Sequence, residues 1–300
     1  FLVEGAGGLA KRFNVPDLII GLTVVAFGTS APELVVNIVA ASGTGTTDIA
    51  LTNIIGSNTI NTFVILGLAA LIFPITSHPD SRKFDIPMNI IAPVIVFVLG
   101  WLINGTLSRV DGLILLLFFG YFMYNTVQRS LKNKEVPEDA ENIKPLKPWL
   151  AIIMALGGLG ALIFGADLIV PSAVRIAQTL GISQSIIGLT IVALGTSLPE
   201  LATSAVAAFK KKSDIALGNV LGSNIFNIFL VLGVSSVVRP LPGYNGIMLD
   251  LSLLIISGLL IFVFVASNKK HQIKRWHGAL LLGIYSIYIY FKISTPEVII

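Results

Sequence analysis

Gly28-Thr29-Ser30-Ala31-Pro32-Glu33 sets a proline and a carboxylate in the middle of an apolar stretch, and Gly195-Thr196-Ser197-Leu198-Pro199-Glu200 does so again 167 positions later. The likeness runs upstream, where residues 18–33 and 185–200 agree at 12 of 16 positions. It resumes downstream, where residues 48–61 (DIALTNIIGSNTIN) and 214–227 (DIALGNVLGSNIFN) agree at 9 of 14. Repetition on this scale means two copies of one structural unit, and the unit has to be found before a fold is assigned.

The surroundings of the motif are those of a membrane. Of the 300 residues 54% are hydrophobic and only 12% charged, with mean hydropathy +0.88, whereas soluble domains carry about 25% charged residues. Apolar runs of roughly 20 residues, long enough to cross a bilayer core as helix, recur from end to end without the alternation of a β-barrel. The chain therefore reads as an all-α multi-pass membrane protein. A net charge of +4 is no sign of nucleic-acid binding, because the basic residues fall in short connections between spans. The absence of cysteine removes disulfides, thiolate metal sites and thiol nucleophiles.

Polar breaks divide the chain into candidate spans near 1–13 (incomplete), 16–41, 48–73, 86–104 and 110–130, then 148–179, 183–209, 213–238, 246–267 and 275–292. The segment 131–147 (LKNKEVPEDAENIKPLK) is charged, holds two prolines and reads as a solvated linker. It separates a first repeat, 1–130, from a second, 148–300, with five spans each. Units with an odd number of spans must lie in the membrane in opposite orientations, and the basic residues agree. If the face after the first span is cytoplasmic, 16 lysines and arginines lie on that side and four (Arg109, Arg175, Arg239, Lys292) on the other. That bias predicts both termini outside and the linker inside. Inverted repeats of this kind belong to secondary transporters, whose binding site lies at the repeat interface near mid-bilayer. The second repeat also has an apolar stretch ahead of the position matching Phe1, so the first span is expected to be incomplete at its start.

Glu33 and Glu200 sit about ten apolar-dominated residues into their spans, near the bilayer centre at about 1.5 Å per residue. A carboxylate there is costly unless protonated, paired or bound to a cation, and no lysine or arginine lies at matching depth in either motif span. Pro32 and Pro199 lack an N–H and crowd the carbonyls of Gly28 and Gly195, so each helix must distort next to its acid. Irregular backbone at this depth survives where it is buried or lines a cavity, and its carbonyls suit hard cations. Thr29 and Glu33, Thr196 and Glu200, Ser57 and Asn61, and Ser223 and Asn227 all stand four apart, which brings side chains to one helix face. Asn58 and Asn224 read first as interhelical contacts and second as ligands, and Asp167 reads as structural. The assembled donors are all oxygen, which fits calcium or sodium and not zinc or copper. His78, His271 and His277 lie in polar flanks, and no His-Glu-x-x-His pair exists for metalloprotease chemistry. Trp101, Trp149 and Trp276 stand at span ends as interfacial anchors.

GTSAPE with GSNTIN, and GTSLPE with GSNIFN, resemble the paired motifs of the cation/calcium exchanger superfamily, and specifically its sodium/calcium exchanger branch. The resemblance covers both repeats. It implies ten transmembrane helices in two inverted five-helix repeats, a central site in the second, third, seventh and eighth spans, and alternating access by sliding of the first and sixth. Position by position it makes Glu33 and Glu200 the central calcium and sodium ligands. Thr29 and Thr196 add backbone and side-chain oxygens, and Ala26 and Ala193 add carbonyls. Ser30, Ser197, Ser57 and Ser223 complete outer sodium positions, while Asn61 and Asn227 face the centre. Potassium-dependent and some prokaryotic relatives carry aspartate at the position of Asn227, so asparagine there implies two formal negative charges at the site and speaks against potassium coupling. Proton-coupled relatives read Gly-Asn-x-x-Glu where this chain reads Gly-Thr-Ser-x-Pro-Glu, which favours sodium.

The expected activity is antiport of sodium against calcium in a cell membrane, with the two ions as cargo, no cofactor, no nucleic acid and no obligatory protein partner. A proton/calcium exchanger using the same glutamates is the nearest alternative. A calcium-selective channel is the rival of another class, opposed by the broken helices and inverted repeats. Enzymatic chemistry is not expected, since no nucleophile and base constellation is present.

Overall fold

The computed structural model describes residues 1–5, 8, 17–44, 47–102, 105–132, 147–179 and 187–294. Residues 133–146, most of the expected linker, lie outside these, as does much of the expected first span. The fold is helical. In chain order the helices are α1 (Gly21–Thr29) and α2 (Ala31–Ser42), α3 (Ala50–Ile72), α4 (Ser81–Leu102), α5 (Arg109–Lys132), α6 (Pro148–Thr179), α7 (Leu189–Thr196) and α8 (Leu198–Phe209), α9 (Ser213–Val238), α10 (Ile247–Ala266) and α11 (Arg275–Ser294). The expected span at 16–41 is thus two limbs, α1 and α2, bent by 43°, and that at 183–209 is α7 and α8, bent by 56°. Both bends fall at the serine of the motif, with φ −82° and ψ 3° at Ser30 and φ −85° and ψ 5° at Ser197. Ring and missing N–H of the proline two residues on prevent a straight helix from passing through.

Among the described residues, five helices (α3, α4, most of α5, α9 and α10) are long and apolar enough to cross a membrane, and seven do if each bent pair counts as one span. This is a multi-pass membrane protein. Burial sorts the spans against their polarity. Of the apolar windows of α3 and α9, which carry the asparagines and serines of the second repeated motif, 83% lies buried, against 22% of the window of α5. In a bilayer the lipid-facing helix has to be apolar, while polar side chains are sheltered inside the bundle. Thr52, Asn53, Ser57, Asn58, Asn61 and Thr62 of α3 are all buried, whereas Val110, Leu113, Leu117, Tyr121 and Tyr124 of α5 are exposed.

The repeat is visible in the connections. A short strand β1 (Ile75–Thr76), just past α3, pairs antiparallel with β4 (Gln272–Ile273), between α10 and α11. Likewise β2 (Thr106–Leu107), between α4 and α5, pairs with β3 (Leu241–Pro242), just past α9. A shift of 166 positions turns each pair into the other, and β1 and β2 lie at opposite ends of α4. The same shift relates two helix caps. Arg109 donates from Nε to the carbonyl of Val237 (3.2 Å) and from Nη2 to that of Val238 (3.4 Å), while Arg275 Nη2 donates to that of Ile72 (3.1 Å). Each guanidinium thus supplies donors to the carbonyls left open at the end of α9 or α3.

The helices that carry the repeated motifs cross closely at glycine. A Cβ on Gly56 of α3 would lie 2.5 Å from the Leu189 carbonyl oxygen and 2.9 Å from Ala193 Cβ of α7. A Cβ on Gly222 of α9 would lie 2.7 Å from Ala26 Cβ and 2.9 Å from the Leu22 oxygen of α1. Backbone obstructs both, so the crossing cannot yield by turning a side chain. Gly56→Ala and Gly222→Ala are each expected to cost about 1–3 kcal/mol by overpacking, read as a lower melting temperature in detergent. Gly120→Ala, at a site with nothing within 4 Å, should leave it equal or higher; equal melting of all three variants would contradict the close crossing.

Candidate functional site

The bends and the glycine crossings bring the four repeated motifs to one place. Each limb that follows a bend, α2 and α8, carries its glutamate in the first turn, where unpaired N–H groups favour negative charge. All twelve expected residues (Ala26, Thr29, Ser30, Glu33, Ser57, Asn61, Ala193, Thr196, Ser197, Glu200, Ser223 and Asn227) are buried.

Their hydrogen bonds run across from one repeat to the other. Ser197 Oγ donates to Glu33 Oε1 (3.3 Å), and Ser30 Oγ donates to Glu200 Oε1 (3.4 Å). Thr196 and Ser57 hydroxyls lie 3.3 Å apart, and those of Thr29 and Ser223 3.4 Å apart. Thr29 and Thr196 reach back within their own helices to the carbonyls of Ala26 and Ala193, 3.3 Å in each case. The cluster therefore draws its hydrogen bonds from both repeats.

Four oxygens at the centre stay unpaired: Glu33 Oε2, Glu200 Oε2, Asn61 Oδ1 and Asn227 Oδ1. A buried acceptor without a partner costs about 1–3 kcal/mol, more when charged. Two come from each repeat at matching positions, and as carboxylate and amide oxygens all four accept, so the ligand they suit is one that offers positive charge. Among the described residues no group of three or more histidine, cysteine, aspartate or glutamate side chains occurs, so Glu33 and Glu200 are the carboxylates that the described part of this cluster offers. The other oxygens this cluster offers are neutral, from hydroxyls, amides and main chain. Asn61 and Asn227 each begin a π-helical turn, Asn61–Ile65 and Asn227–Leu232, within α3 and α9. Such turns widen a helix locally and recur at functional sites.

Several polar residues of this region escape a reading of the motifs alone. Asn53 accepts from Thr196 Oγ1 (3.4 Å) and donates to Asn37 Oδ1 (2.9 Å), while Asn37 Nδ2 donates to the Ala50 carbonyl (2.9 Å). In the other repeat Asn219 accepts from Thr29 Oγ1 (3.3 Å) and donates to Ser204 Oγ (2.9 Å) and the Glu200 carbonyl (3.2 Å). Asn53 and Asn219 occupy the same place in the two copies of the second motif, which was the available signal. Asn37 and Ser204 also match in position but differ in kind, and Asn89 of α4 lies outside the repeated motifs. Asp167 belongs to α6, and its side chain is outside the described residues. A small crevice lined by Phe27, Ser30, Ala31, Leu34, Phe226, Leu230 and Val231 reaches the motif at Ser30.

The chain is similar to known proteins over nearly its whole length. The family described as "Sodium/calcium exchanger protein" matches residues 1–128 and 150–294. A putative antiporter, CaxA of Alkalimonas amylolytica, is 36% identical over 98% of this chain and 93% of its own length. The sodium/calcium exchanger MaX1 of Methanosarcina acetivorans is 32% identical over 96% of this chain and 92% of its own. A solved structure of the sodium-calcium exchanger NCX_Mj is similar with a TM-score of 0.81 at 35% identity, covering 96% of this chain and 92% of that one.

Proposed function

Because the chain belongs to the sodium/calcium exchanger protein family, a family of transporters and not of enzymes, we propose that it is a secondary active antiporter that exchanges sodium for calcium at the Glu33 and Glu200 site. The single observation that carries this reading is the set of four unpaired oxygens of Glu33, Glu200, Asn61 and Asn227. Glu33 and Glu200 supply the charge, Asn61 and Asn227 supply neutral oxygen beside them, and the hydroxyls of Thr29, Thr196, Ser30, Ser197, Ser57 and Ser223 with the carbonyls of Ala26 and Ala193 supply the remaining ligands.

Competition between the ions follows from charge. Two carboxylates are neutralised by one calcium or by two sodium ions, and any further sodium has to rest on neutral oxygen. An empty site keeps two uncompensated charges in a low dielectric, which opposes the conformational change and suppresses leak. The two bends keep the limbs from forming a continuous pore, so each side reaches the ions in turn.

The same proposal covers the architecture. Ten transmembrane helices form two inverted five-helix repeats, residues 1–130 and 148–300, joined by the linker 131–147, with both termini outside and the linker cytoplasmic. The strand pairs and arginine caps that interchange under a shift of 166 positions support that arrangement, as does the distribution of basic residues.

Calcium flux in proteoliposomes, driven in turn by a sodium gradient and by a pH gradient, tests the coupling. Uptake under the sodium gradient at constant pH is expected. Uptake that follows the pH gradient and ignores sodium would instead assign the glutamates to proton/calcium exchange.

A further inference from the structure

We propose that Asn58 and Asn224, which are not among the ligands, are positioning residues that turn the amides of Asn227 and Asn61 oxygen-inward, so that this part of the site offers a cation no N–H. The inference rests on the cation-exchange reading above and deepens it.

A primary amide has nearly the same shape whichever way it faces, but one end accepts and the other donates. Facing inward with its NH2, Asn227 or Asn61 would set partial positive charge against a cation. What decides the facing is where the donors are satisfied. Asn58 Nδ2 donates to the main-chain carbonyl of Asn224 at 2.9 Å. A carbonyl can only accept, so the Asn58 amide cannot reverse without setting two acceptors together. Its Oδ1 is thereby turned to Asn227, whose Nδ2 it accepts at 3.0 Å. With that donor engaged, Asn227 leaves its own Oδ1 unpaired.

The second repeat serves the first in the same way by a different route. Asn61 Nδ2 donates to Asn224 Oδ1 at 3.1 Å, and Asn61 Oδ1 is left unpaired. Asn224 is held in turn by its Nδ2, which donates to Thr62 Oγ1 (3.0 Å) and to Asn89 Oδ1 (3.1 Å). All of these side chains are buried, so no solvent competes for the donors. The chain through Asn58 ends on main chain, which cannot turn. The chain through Asn224 ends on a hydroxyl and on a second amide, both of which can. Asn58 is therefore the firmer of the two, and it is the residue to test.

Calcium binding to purified protein in detergent, measured by calorimetry for the wild type, Asn58→Leu and Asn58→Asp, separates orientation from general packing. In its neutral form the Asn58→Asp side chain reproduces both bonds, donating to the Asn224 carbonyl and accepting from Asn227. Its half-saturation is expected within about threefold of the wild type, whereas Asn58→Leu, which frees the Asn227 amide, should weaken binding by about tenfold or more, the order of one lost interaction with a charged partner. Equal affinities in all three proteins, or equal weakening in both variants, would overturn the proposal. Should Asn58→Leu fail to fold, Asn58→Ser, too short to reach Asn227, is read by the same criteria. A wild type that binds no calcium would defeat the exchange reading itself, a result distinct from either of these.

Discussion

Glu33→Gln and Glu200→Gln are each expected to lower sodium-driven calcium uptake by about 100-fold or more. Glutamine is isosteric with the carboxylate, and it retains an oxygen for the serine that crosses from the other repeat, Ser197 for Glu33 and Ser30 for Glu200. It differs where the second carboxylate oxygen stands unpaired, placing an NH2 there and removing one of two charges. A unit charge pair at about 4 Å is worth roughly 4 kcal/mol at the effective dielectric of a protein, and each 1.4 kcal/mol is about tenfold in affinity, so the loss of either charge is decisive. Neutralisation also removes a buried, uncompensated anion. Without ions, both variants should therefore melt at or above the wild-type temperature, which separates lost binding from lost fold. Near-normal uptake in either variant would exclude the two-carboxylate site.

Lys292→Met is expected to have the largest effect on stability, about 3–5 kcal/mol, seen as a marked fall in melting temperature in detergent. Asp250 of α10 is buried, with Lys292 Nζ of α11 at 2.9 Å from each of its oxygens. Tyr244 donates to Oδ2 (2.8 Å) and Tyr288 to Oδ1 (2.9 Å). Every carboxylate oxygen is satisfied, so removing the lysine strands a buried anion on two phenols. The double variant Asp250→Leu/Lys292→Met should regain most of the loss, because replacing a buried pair by apolar side chains is commonly neutral or stabilising. Melting of Lys292→Met at the wild-type temperature would show that the pair carries no such role. A counterpart fastens α4 to α5, where Arg129 Nη2 donates to Asp85 Oδ1 at 2.7 Å, although Asp85 Oδ2 and Arg129 Nη1 remain unpaired there.

These two ion pairs also show where the sequence falls short. Asp85 stands in SRKFD, a charged run that reads as connection, so the expected span begins at 86 while α4 begins at Ser81. The distant Arg129 makes this acid tolerable inside the helix, and its spacing from Asp85 leaves no local signature. The two-residue strands are equally silent, since their pairing depends on which ends of the bundle meet. The bends at Ser30 and Ser197 were legible from proline chemistry alone, Glu33, Glu200 and the hydroxyl and amide residues four apart from the duplicated motifs, and Ala26, Ala193, Ser30 and Ser197 only from the resemblance to a known family. Asn53, Asn58, Asn219 and Asn224 were written in the same repeated motifs. A buried asparagine that orients a ligand and one that merely joins helices look identical in sequence, and only the direction of each amide separates them.

The most direct measurement is a calorimetric titration of calcium into ion-free protein, repeated at rising sodium and in the Glu33→Gln/Glu200→Gln double variant. One calcium per chain, displaced competitively by sodium and absent from the double variant, is the predicted result. Calcium binding that survives the loss of both carboxylates, or that sodium leaves undisturbed, would contradict a shared site for the two ions between Glu33 and Glu200.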